Sequence, residues 1–416
     1  MALGILTNVS GLAAQRSLAE SQKMMDTAME RLSSGQRINS ASDDAAGLAT
    51  AMRMESQIRG LDMAVKNTVD GQAMVQTIEG ALSEVDAMLQ RMRELAVQSA
   101  NGTLRVTDRQ YIESEKDALV AEIDRIQANT TFNGVKVFDG LLNTSFQVGA
   151  DASQSITMTQ GSIASSVLGA HRIAEGPQSL TAAGTTVPAT TVTASEDLTI
   201  TNTVTNASAT TAATAGDTAK ATAAAVNALT STTGVVAEAK TRAVLSFSHD
   251  ESINLTIGSS SGATAATGAI AVTTSDYSAL VSAINSMSGT TGVTAELAGS
   301  GTQFYLNDAD GDDITLVRTD SATGSLAVQT VEDDGTTTVN TAATVQKNAA
   351  NLNDSLRIQG MVAFSGADSF TVASAGTPTN GYVSAASVSS SNNVISSLDL
   401  TTIDKAGVAL TTISGA

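Results

Sequence analysis

Apolar residues recur at alternating three- and four-residue spacing in the N-terminal third of the chain. The strongest run consists of Val75, Ile78, Leu82, Val85, Leu89, Met92 and Ala96. This spacing predicts a long helix with a coiled-coil-like seam. No proline interrupts the chain from Leu32 to Asn101, so we expect one helix from about Asp43 to Ser99. At about 1.5 Å per residue it is roughly 80 Å long. The seam serves either an intramolecular core or contacts between subunits, and one helix can do both.

Polar residues mark the ends of this helix and the start of another. Asp43 and Asp44 fit an N-cap, and Gly102 suits a left-handed cap after the last turn. Thr107-Asp108-Arg109-Gln110 has the capping-box pattern for a second helix. Its predicted apolar face consists of Ile112, Leu119, Ile123 and Ile126. The short connection predicts antiparallel packing of the two helices.

The segments on either side of these helices are shorter. Residues 1–30 have small and apolar residues at imperfect helical spacing, so we expect this segment to be frayed in the monomer and ordered only against a partner. After the second helix, Asn133-Gly134 between apolar residues predicts a tight hairpin turn. Residues 146–148 and 155–158 are predicted to be short strands.

Composition changes near Pro177, the first of three prolines. From there to about residue 391 the chain is rich in Thr, Ala, Ser, Gly and Val, and short alternating runs predict strands. The segment from Val226 to Glu238 recurs 58 residues later, from Ile284 to Glu296. Each copy is followed by a strand pair with an acidic turn. Two copies of this kind indicate a folded module rather than disorder.

These patterns predict an α+β fold. A long antiparallel α-helical rod with a coiled-coil-like core and a β-hairpin is joined to a β-rich outer domain, which is inserted between N- and C-terminal core segments. The predicted segments are a short helical segment at 1–42, a helical rod with a β-hairpin at 43–176, the outer domain at 177–391, and a returning helical segment at 392–416.

Composition narrows the classes of partner. A net charge of −19 and a pI near 4.4 argue against nucleic acid and anionic membranes. No apolar run is long enough for membrane insertion, and the N-terminus has no secretory signal pattern. The absence of cysteine excludes disulfides and thiolate metal sites.

No pattern predicts catalysis, a cofactor or a metal. Histidine occurs only at positions 171 and 249, and His-Glu-x-x-His is absent. The acidic run at 308–313 has calcium-ligand chemistry but lacks the distant glutamate of an EF-hand loop, so an acidic turn without metal is the simpler interpretation. The Thr/Ser-rich outer region is either a solvated β surface or a site of O-linked sugars.

Three segments resemble bacterial flagellins, the subunits of the flagellar filament. They are Leu32–Ala49, Leu89–Asn101 and Phe132–Val137. The repeat around Thr233-Gly234-Val235 and Thr291-Gly292-Val293 resembles the flagellin hook IN motif of outer domains.

The resemblance implies a non-enzymatic structural subunit that polymerises with copies of itself into an extracellular filament for swimming. It also implies that the segment at 1–42 is an inner-core helix and spoke and that the segment at 392–416 is the start of a C-terminal core helix. It implies export through the flagellar type III apparatus with a chaperone, and contacts with cap and hook-associated proteins. Arg91, Leu95 and Glu115 match family positions recognised by Toll-like receptor 5.

Only the beginning of the family's C-terminal helices is present, at residues 392–410, and a fragment is the favoured explanation. The alternatives left open are a hook–filament junction protein and a surface adhesin that uses the repeat region. An extracellular protease is a third alternative.

Overall fold

The computed structural model describes residues 8–173, 180–184, 187–189, 197–214, 216–260, 263–298, 301–320, 324–331, 338, 342–348, 351–375, 382–383 and 387–416. The chain divides into two compact units. The first unit consists of Met1–Gly80 with Leu141–Gln160, and the second of Ala81–Gly140 with Gly161–Ala416.

The described helices are α1 (Val9–Ser34), α2 (Ala45–Ser99), α3 (Val106–Asn129), α4 (Ala219–Asn227), α5 (Thr230–Thr233), α6 (Ser278–Ser286), α7 (Ser288–Thr291) and α8 (Ile403–Gly415).

The described strands are β1 (Thr131–Phe132), β2 (Val135–Lys136), β3 (Leu142–Gln147), β4 (Ser155–Gln160), β5 (Gly169–Ile173), β6 (Leu180–Ala183), β7 (Leu198–Asn202), β8 (Ser208–Thr210), β9 (Val235–Phe247), β10 (Glu251–Ile253), β11 (Leu255–Ser259), β12 (Ala265–Ala266), β13 (Ile270–Val272), β14 (Thr294–Leu297), β15 (Phe304–Asp308), β16 (Ile314–Arg318), β17 (Leu326–Thr330), β18 (Ala343–Asn348), β19 (Asn351–Asn353), β20 (Ser355–Ile358), β21 (Met361–Gly366), β22 (Phe370–Ser374), β23 (Ser387–Ser389) and β24 (Ser391–Val394).

Helix α1 is held by its ends rather than by burial. The Asn8 side chain accepts a hydrogen bond from the Gly11 amide at 3.0 Å, and Gly35 ends the helix in the left-handed region at φ 66°. None of its residues is buried. The structure therefore shows a formed helix where the sequence predicted fraying, but it agrees that the apolar side chains of this helix find no core.

The start of α2 follows the prediction. The Asp44 carboxylate accepts a hydrogen bond from the Gly47 amide at 2.9 Å and caps the first turn. Asp43 instead accepts from the amides of Asn39 and Ser40, at 3.3 and 3.2 Å. These backbone hydrogen bonds lower the pKa of Asp43. Asp44 thus caps the helix, whereas Asp43 binds backbone amides of the loop before it.

In the first unit the β3–β4 hairpin packs on α2. Asn67 Nδ2 donates a hydrogen bond to the Gln147 carbonyl at 3.1 Å. A Cβ built on Gly60 would lie 3.0 Å from the Ala150 Cβ, and one built on Gly71 would lie 3.4 Å from the Phe146 ring. The two glycines therefore allow the hairpin to approach the helix closely, which explains glycine in a helix interior.

Two predicted caps in the second unit were wrong. Gly102 does not adopt a left-handed conformation. Helix α3 begins at Val106 rather than after Thr107, and the Asp108 carboxylate accepts from the Arg105 amide at 3.2 Å. Asp108, at the third helical position, therefore marks the start of α3, whereas the pattern that included Gln110 pointed to a start two residues too late.

The predicted Asn-Gly hairpin is present. Strands β1 and β2 pair antiparallel, with Phe132 opposite Val135. Asn133 and Gly134 both have positive φ, at 48° and 80°. These are the backbone angles of the turn that matches the twist of a two-residue hairpin.

The β-rich part of the second unit is built on β9. Its first half pairs with β21, and its second half pairs with β15 and β17, all antiparallel. These strands belong to a nine-stranded sheet, which is accompanied by a five-stranded sheet (β12-β11-β16-β20-β6) and a four-stranded sheet (β23-β22-β7-β8). The described parts of the Thr- and Ala-rich segment are folded into these sheets, as the repeat predicted.

Two apolar cores support these sheets. One contains Leu245 of β9, Leu280 of α6 and Leu316 of β16, with the rings of Phe247, Tyr277 and Phe304 packed together. The other contains residues of β7, β21 and α4, of which Ile200, Val226 and Phe364 are each fully buried. Burial of these side chains is the main force that stabilises the β-rich region.

The sequence repeat is also a structural repeat. Asn227 pairs with both polar backbone atoms of Ala237, since it donates to the carbonyl at 2.9 Å and accepts from the amide at 2.8 Å. Asn285 makes the same pair with Ala295, at 2.8 and 2.7 Å. Gly234 and Gly292 end the second short helix of each copy at φ 71° and 74°.

The two copies diverge in their strands. The first continues as the single long strand β9, whereas the second is broken into β14 and β15, which pair as a hairpin. The helix-and-turn part of the repeat is therefore the common element.

The C-terminal segment differs from the prediction at its start. Val394, assigned to a helical pattern, lies in β24, which pairs with β5. A short 3-10 helix covers Ile395–Ser397, and the returning helix α8 begins only at Ile403. The Thr402 side chain caps α8 by accepting from the Lys405 amide at 3.2 Å.

The two units do not coincide with the four predicted segments, because α2 contributes to both units. The composition boundary at Pro177 lies outside the described residues. The four-segment division therefore stays a prediction.

Replacing Asn227 by Ala should lower the free energy of unfolding of the β-rich region by about 1–3 kcal/mol, because two part-buried backbone groups of Ala237 lose their partner. Asn285→Ala should have a similar effect through Ala295. Urea unfolding curves give the measurement. Thr232→Ala, an exposed change in the neighbouring α5, is the control, and equal midpoints for control and variants would contradict the role of the asparagines.

Candidate functional site

The predicted seam of α2 is buried along one of its two lines. Ile78, Val85 and Met92 form this line and are at most 7% exposed. Along the other line, Val75 is 48% exposed, Leu82 is 37% exposed, Leu89 is partly buried and Ala96 is fully buried. A straight α-helix drifts about 20° for every seven residues relative to a 3.5-residue repeat, so this second line turns from solvent toward the core along the helix.

Arg109 joins α3 to the end of α2. Its Nε donates to the Ser99 carbonyl and its Nη2 to the Asn101 carbonyl, both at 3.0 Å. The Arg109 side chain is buried, and it caps carbonyls that the helix end leaves without partners. With the ion pair between Arg91 and Glu115 at 2.7 Å, these contacts show that α2 and α3 run antiparallel.

A buried polar clamp holds the chain before α8 against α2 and α3. We define the clamp as Ser99, Glu113 and Lys116. Lys116 Nζ donates to the Leu398 carbonyl at 2.6 Å, and the Leu400 amide donates to Glu113 at 2.7 Å. The Ser99 hydroxyl donates to the Leu400 carbonyl.

Lys116 is the centre of the clamp. It is 2% exposed and forms ion pairs with Glu113 and Asp117, each at 2.8 Å. Burial acts to lower the pKa of Lys116, but the hydrogen bonds with Asp117 and Glu113 outweigh it and raise the pKa. The amine therefore stays charged and pairs with a buried carbonyl that would otherwise be unsatisfied.

The clamp was not predicted, although one signal was present. Lys116 lies four residues after Ile112 and seven before Ile123, so it interrupts the apolar face of α3. A lysine at this position indicates either that the apolar face of α3 is interrupted there or that the amine is buried and paired. Its partner could not be found, because Leu398 lies far away in the sequence.

The three residues predicted for receptor recognition are placed differently. Arg91 and Glu115 are 46% and 47% exposed and are joined by their ion pair, and Arg91 also pairs with Glu94 at 2.8 Å. Leu95 is only 1% exposed. The burial of Leu95 contradicts its placement on a receptor surface and assigns it to the core of the second unit.

The first unit exposes many large apolar side chains. On α1, Leu18, Met25, Met29 and Leu32 follow one face and are 58–86% exposed. On α2, Met54, Ile58, Leu61 and Val65 follow one face and are 50–64% exposed. We call these the α1 stripe and the α2 stripe. Contiguous apolar surface of this kind is rare on monomeric proteins and marks an interaction surface.

An apolar groove lies between α2 and the β3–β4 hairpin in the same unit. Its volume is about 580 Å³, and Val75, Phe146, Ile156 and Met158 are among its lining residues. The exposure of Val75 is therefore exposure to this groove.

The acidic turn at 308–313 is paired with cations of the protein. Lys220 Nζ lies 3.0 and 3.1 Å from carboxylate oxygens of Asp310 and Asp312, and Arg357 lies 3.1 Å from Asp313. Burial raises the pKa of Asp313, and the Gly360 amide and Arg357 act against this rise. Among the described residues, no group of three or more His, Asp or Glu side chains has the arrangement of a metal site.

No helix in the described part of the chain has the length and apolarity needed to cross a bilayer.

The N-terminal region matches a known family. Residues 5–143 match the family model described as the bacterial flagellin N-terminal helical region. This region is similar to the N-terminal helical region of flagellins. The match includes α1, α2 and α3, and therefore both stripes and all three residues of the clamp.

Curated relatives carry the same name. The chain is 44% identical over 204 residues to flagellin B of Vibrio anguillarum, covering 49% of this chain and 53% of the relative. It is 49% identical over 166 residues to flagellin B of Vibrio cholerae, covering 40% and 44% of the two chains. The chain thus spans about half the length of the curated relatives that it matches.

Solved structures give weaker similarity. FliC from Burkholderia pseudomallei has a TM-score of 0.31 at 15% identity, with 83% of this chain and 92% of that chain covered. The flagellar junction protein FlgL from Legionella pneumophila has a TM-score of 0.30 at 13% identity, with 89% of each chain covered. Scores this low do not establish a shared arrangement.

Lys116→Met should lower the free energy of unfolding of the second unit by about 3 kcal/mol, because it leaves the buried Leu398 carbonyl without a donor and the partly buried Glu113 without its cation. Thermal and urea unfolding at neutral pH measure the effect. Since the pKa of Lys116 is raised in the fold, its stabilisation is present at neutral pH and lost as the pH rises through that pKa.

Arg125→Met is the matched control on the same helix. Arg125 pairs with Glu122 at the surface, where solvent screens the ion pair, so its loss should have little effect. Equal destabilisation by both substitutions would argue against a special role of the clamp.

Proposed function

We propose that this chain is the structural subunit of a bacterial flagellar filament, in which many copies assemble into a helical polymer for swimming. The observation that carries the proposal is the flagellin N-terminal region at residues 5–143. The role is mechanical, and it requires no turnover and no cofactor. The relatives named flagellin support the same role.

The stripes supply a physical basis for assembly. Apolar side chains along α1 and α2 remain in contact with water in the single chain. Burying them against other copies is favourable by about 25 cal/mol per Å² of apolar surface. Contacts that join different surfaces of neighbouring copies do not close on themselves and therefore produce a filament. We propose that the stripes make such contacts, together with the exposed part of the α2 seam at Val75 and Leu82.

Our proposal also includes the other proteins that the subunit meets and its location outside the cell. The subunit is exported by the flagellar type III apparatus with a chaperone, lies in the extracellular filament, and meets cap and hook-associated proteins at its ends. No described feature favours a junction protein or an adhesin over this role.

Replacing both Leu61 and Val65 by Asp should abolish filaments and swimming while leaving the fold intact, since both side chains are at least half exposed in the single chain. Electron microscopy of sheared filaments and motility in soft agar measure the effect, and circular dichroism checks the fold.

Met63→Asp is the control for this variant. Met63 is 56% exposed on the same helix but lies on the opposite side from the α2 stripe. Wild-type filaments from the double variant would refute the proposed role of the stripe.

We also propose that Toll-like receptor 5 recognises the surface around Arg91 and Glu115. Both side chains are accessible at the meeting of α2 and α3. Arg91→Ala and Glu115→Ala should each reduce signalling by cells that carry the receptor when purified monomer is added. Arg125→Ala, which removes an exposed arginine elsewhere on α3, is the control, and unchanged dose–response curves for the first two variants would exclude this surface.

A further inference from the structure

The methionines divide sharply by exposure. The chain has thirteen, and among those that the structure describes six are more than half exposed. These six are Met24, Met25, Met29, Met52, Met54 and Met63. All of them lie on α1 and the first part of α2. The other methionines in the described ranges are buried or partly buried, and Met74, Met92 and Met361 are at most 3% exposed.

The exposed methionines form two groups by their position on the helices. Met25 and Met29 belong to the α1 stripe, between Leu18 and Leu32, and Met54 belongs to the α2 stripe. At about 100° per residue, Met24 lies well outside the α1 stripe, and Met52 and Met63 lie on the side of α2 opposite its stripe. Their exposed fractions, 56–63%, are nevertheless the same as those of the stripe residues.

We propose that Met25, Met29 and Met54 are modification sites at which oxidation to methionine sulfoxide prevents assembly of the chain. The oxidant is a peroxide. The thioether sulfur attacks the peroxide oxygen, the O–O bond breaks, one oxygen atom is transferred to sulfur, and water leaves. Sulfur is oxidised by two electrons and the peroxide is reduced by two. Susceptibility follows exposure of the thioether, so all six methionines react while the buried ones are protected.

The consequence depends on position. A sulfoxide converts a flexible apolar side chain into a polar one with a strong hydrogen-bond acceptor. On a stripe, this acceptor must be desolvated without a partner when another copy packs against it, and that is unfavourable. Off the stripes, the same chemistry leaves the packing surface unchanged. This consequence rests on the proposed function, because it assumes that the stripes are buried between copies.

The test compares two triple variants of the full native protein. In Met25→Leu/Met29→Leu/Met54→Leu, the stripe positions cannot be oxidised but remain apolar, with a similar volume and helix propensity. In Met24→Leu/Met52→Leu/Met63→Leu, the same number of exposed methionines is removed off the stripes. Monomers obtained by heating sheared filaments are treated with hydrogen peroxide, quenched and seeded for assembly. Peptide mass spectrometry follows oxidation at each position, and sedimentation follows assembly.

We expect peroxide to raise the critical concentration for assembly at least about tenfold for the wild type and for the off-stripe variant. For the on-stripe variant, the critical concentration after peroxide should equal that of the same variant before peroxide, whatever its value relative to the wild type. Incubation of the oxidised wild type with methionine sulfoxide reductases should restore assembly.

Three results would overturn the inference. The first is slow oxidation of the six exposed methionines relative to the buried ones. The second is unimpaired assembly of the fully oxidised wild type, and the third is equal loss of assembly in both variants. Failure of the untreated wild type to assemble would instead refute the proposed function, and the inference with it.

Discussion

A buried amine joins helix α3 to the segment of the chain that precedes helix α8. Lys116 on α3 donates a hydrogen bond to the carbonyl of Leu398, and the β-rich region lies between these two residues in the sequence. A lysine can remain buried only if its charge is compensated, and here Glu113 and Asp117 provide that compensation. Because Ser99 and Glu113 satisfy the neighbouring backbone groups at Leu400, the return of the chain is fixed by specific donors and acceptors rather than by apolar contact.

The helices and turns were predictable from the sequence because their signals are local. Spacing indicated α2, residue type indicated the Asp44 cap and the Asn133-Gly134 turn, and the structure has all three. Short alternating runs indicated the Thr- and Ala-rich strands, and the repeat indicated that they belong to a folded module. The sequence could not reveal which strands pair, since β9 joins partners that come from distant parts of the chain.

The errors have physical causes. Gly102 looked like a cap, but Arg109 satisfies the carbonyls of Ser99 and Asn101, so no left-handed residue is needed. The α2 seam was left open between an intramolecular core and subunit contacts, and helix drift carries one of its two lines from burial at Ala96 to exposure at Val75. Leu95 was placed on a receptor surface by its match to a family position, but its side chain is only 1% exposed.

Helix α1 has a mechanical consequence that follows from its lack of buried residues. Its 26 residues are held by hydrogen bonds and caps within the helix, so a force that pulls on the N-terminal end meets no packed side chain there. Passing from about 1.5 Å per residue in a helix to about 3.4 Å in an extended chain lengthens this segment by about 50 Å. That extension exposes no core and needs only the work of opening local hydrogen bonds. Helix α1 can thus be extended by force while the rest of the chain stays folded.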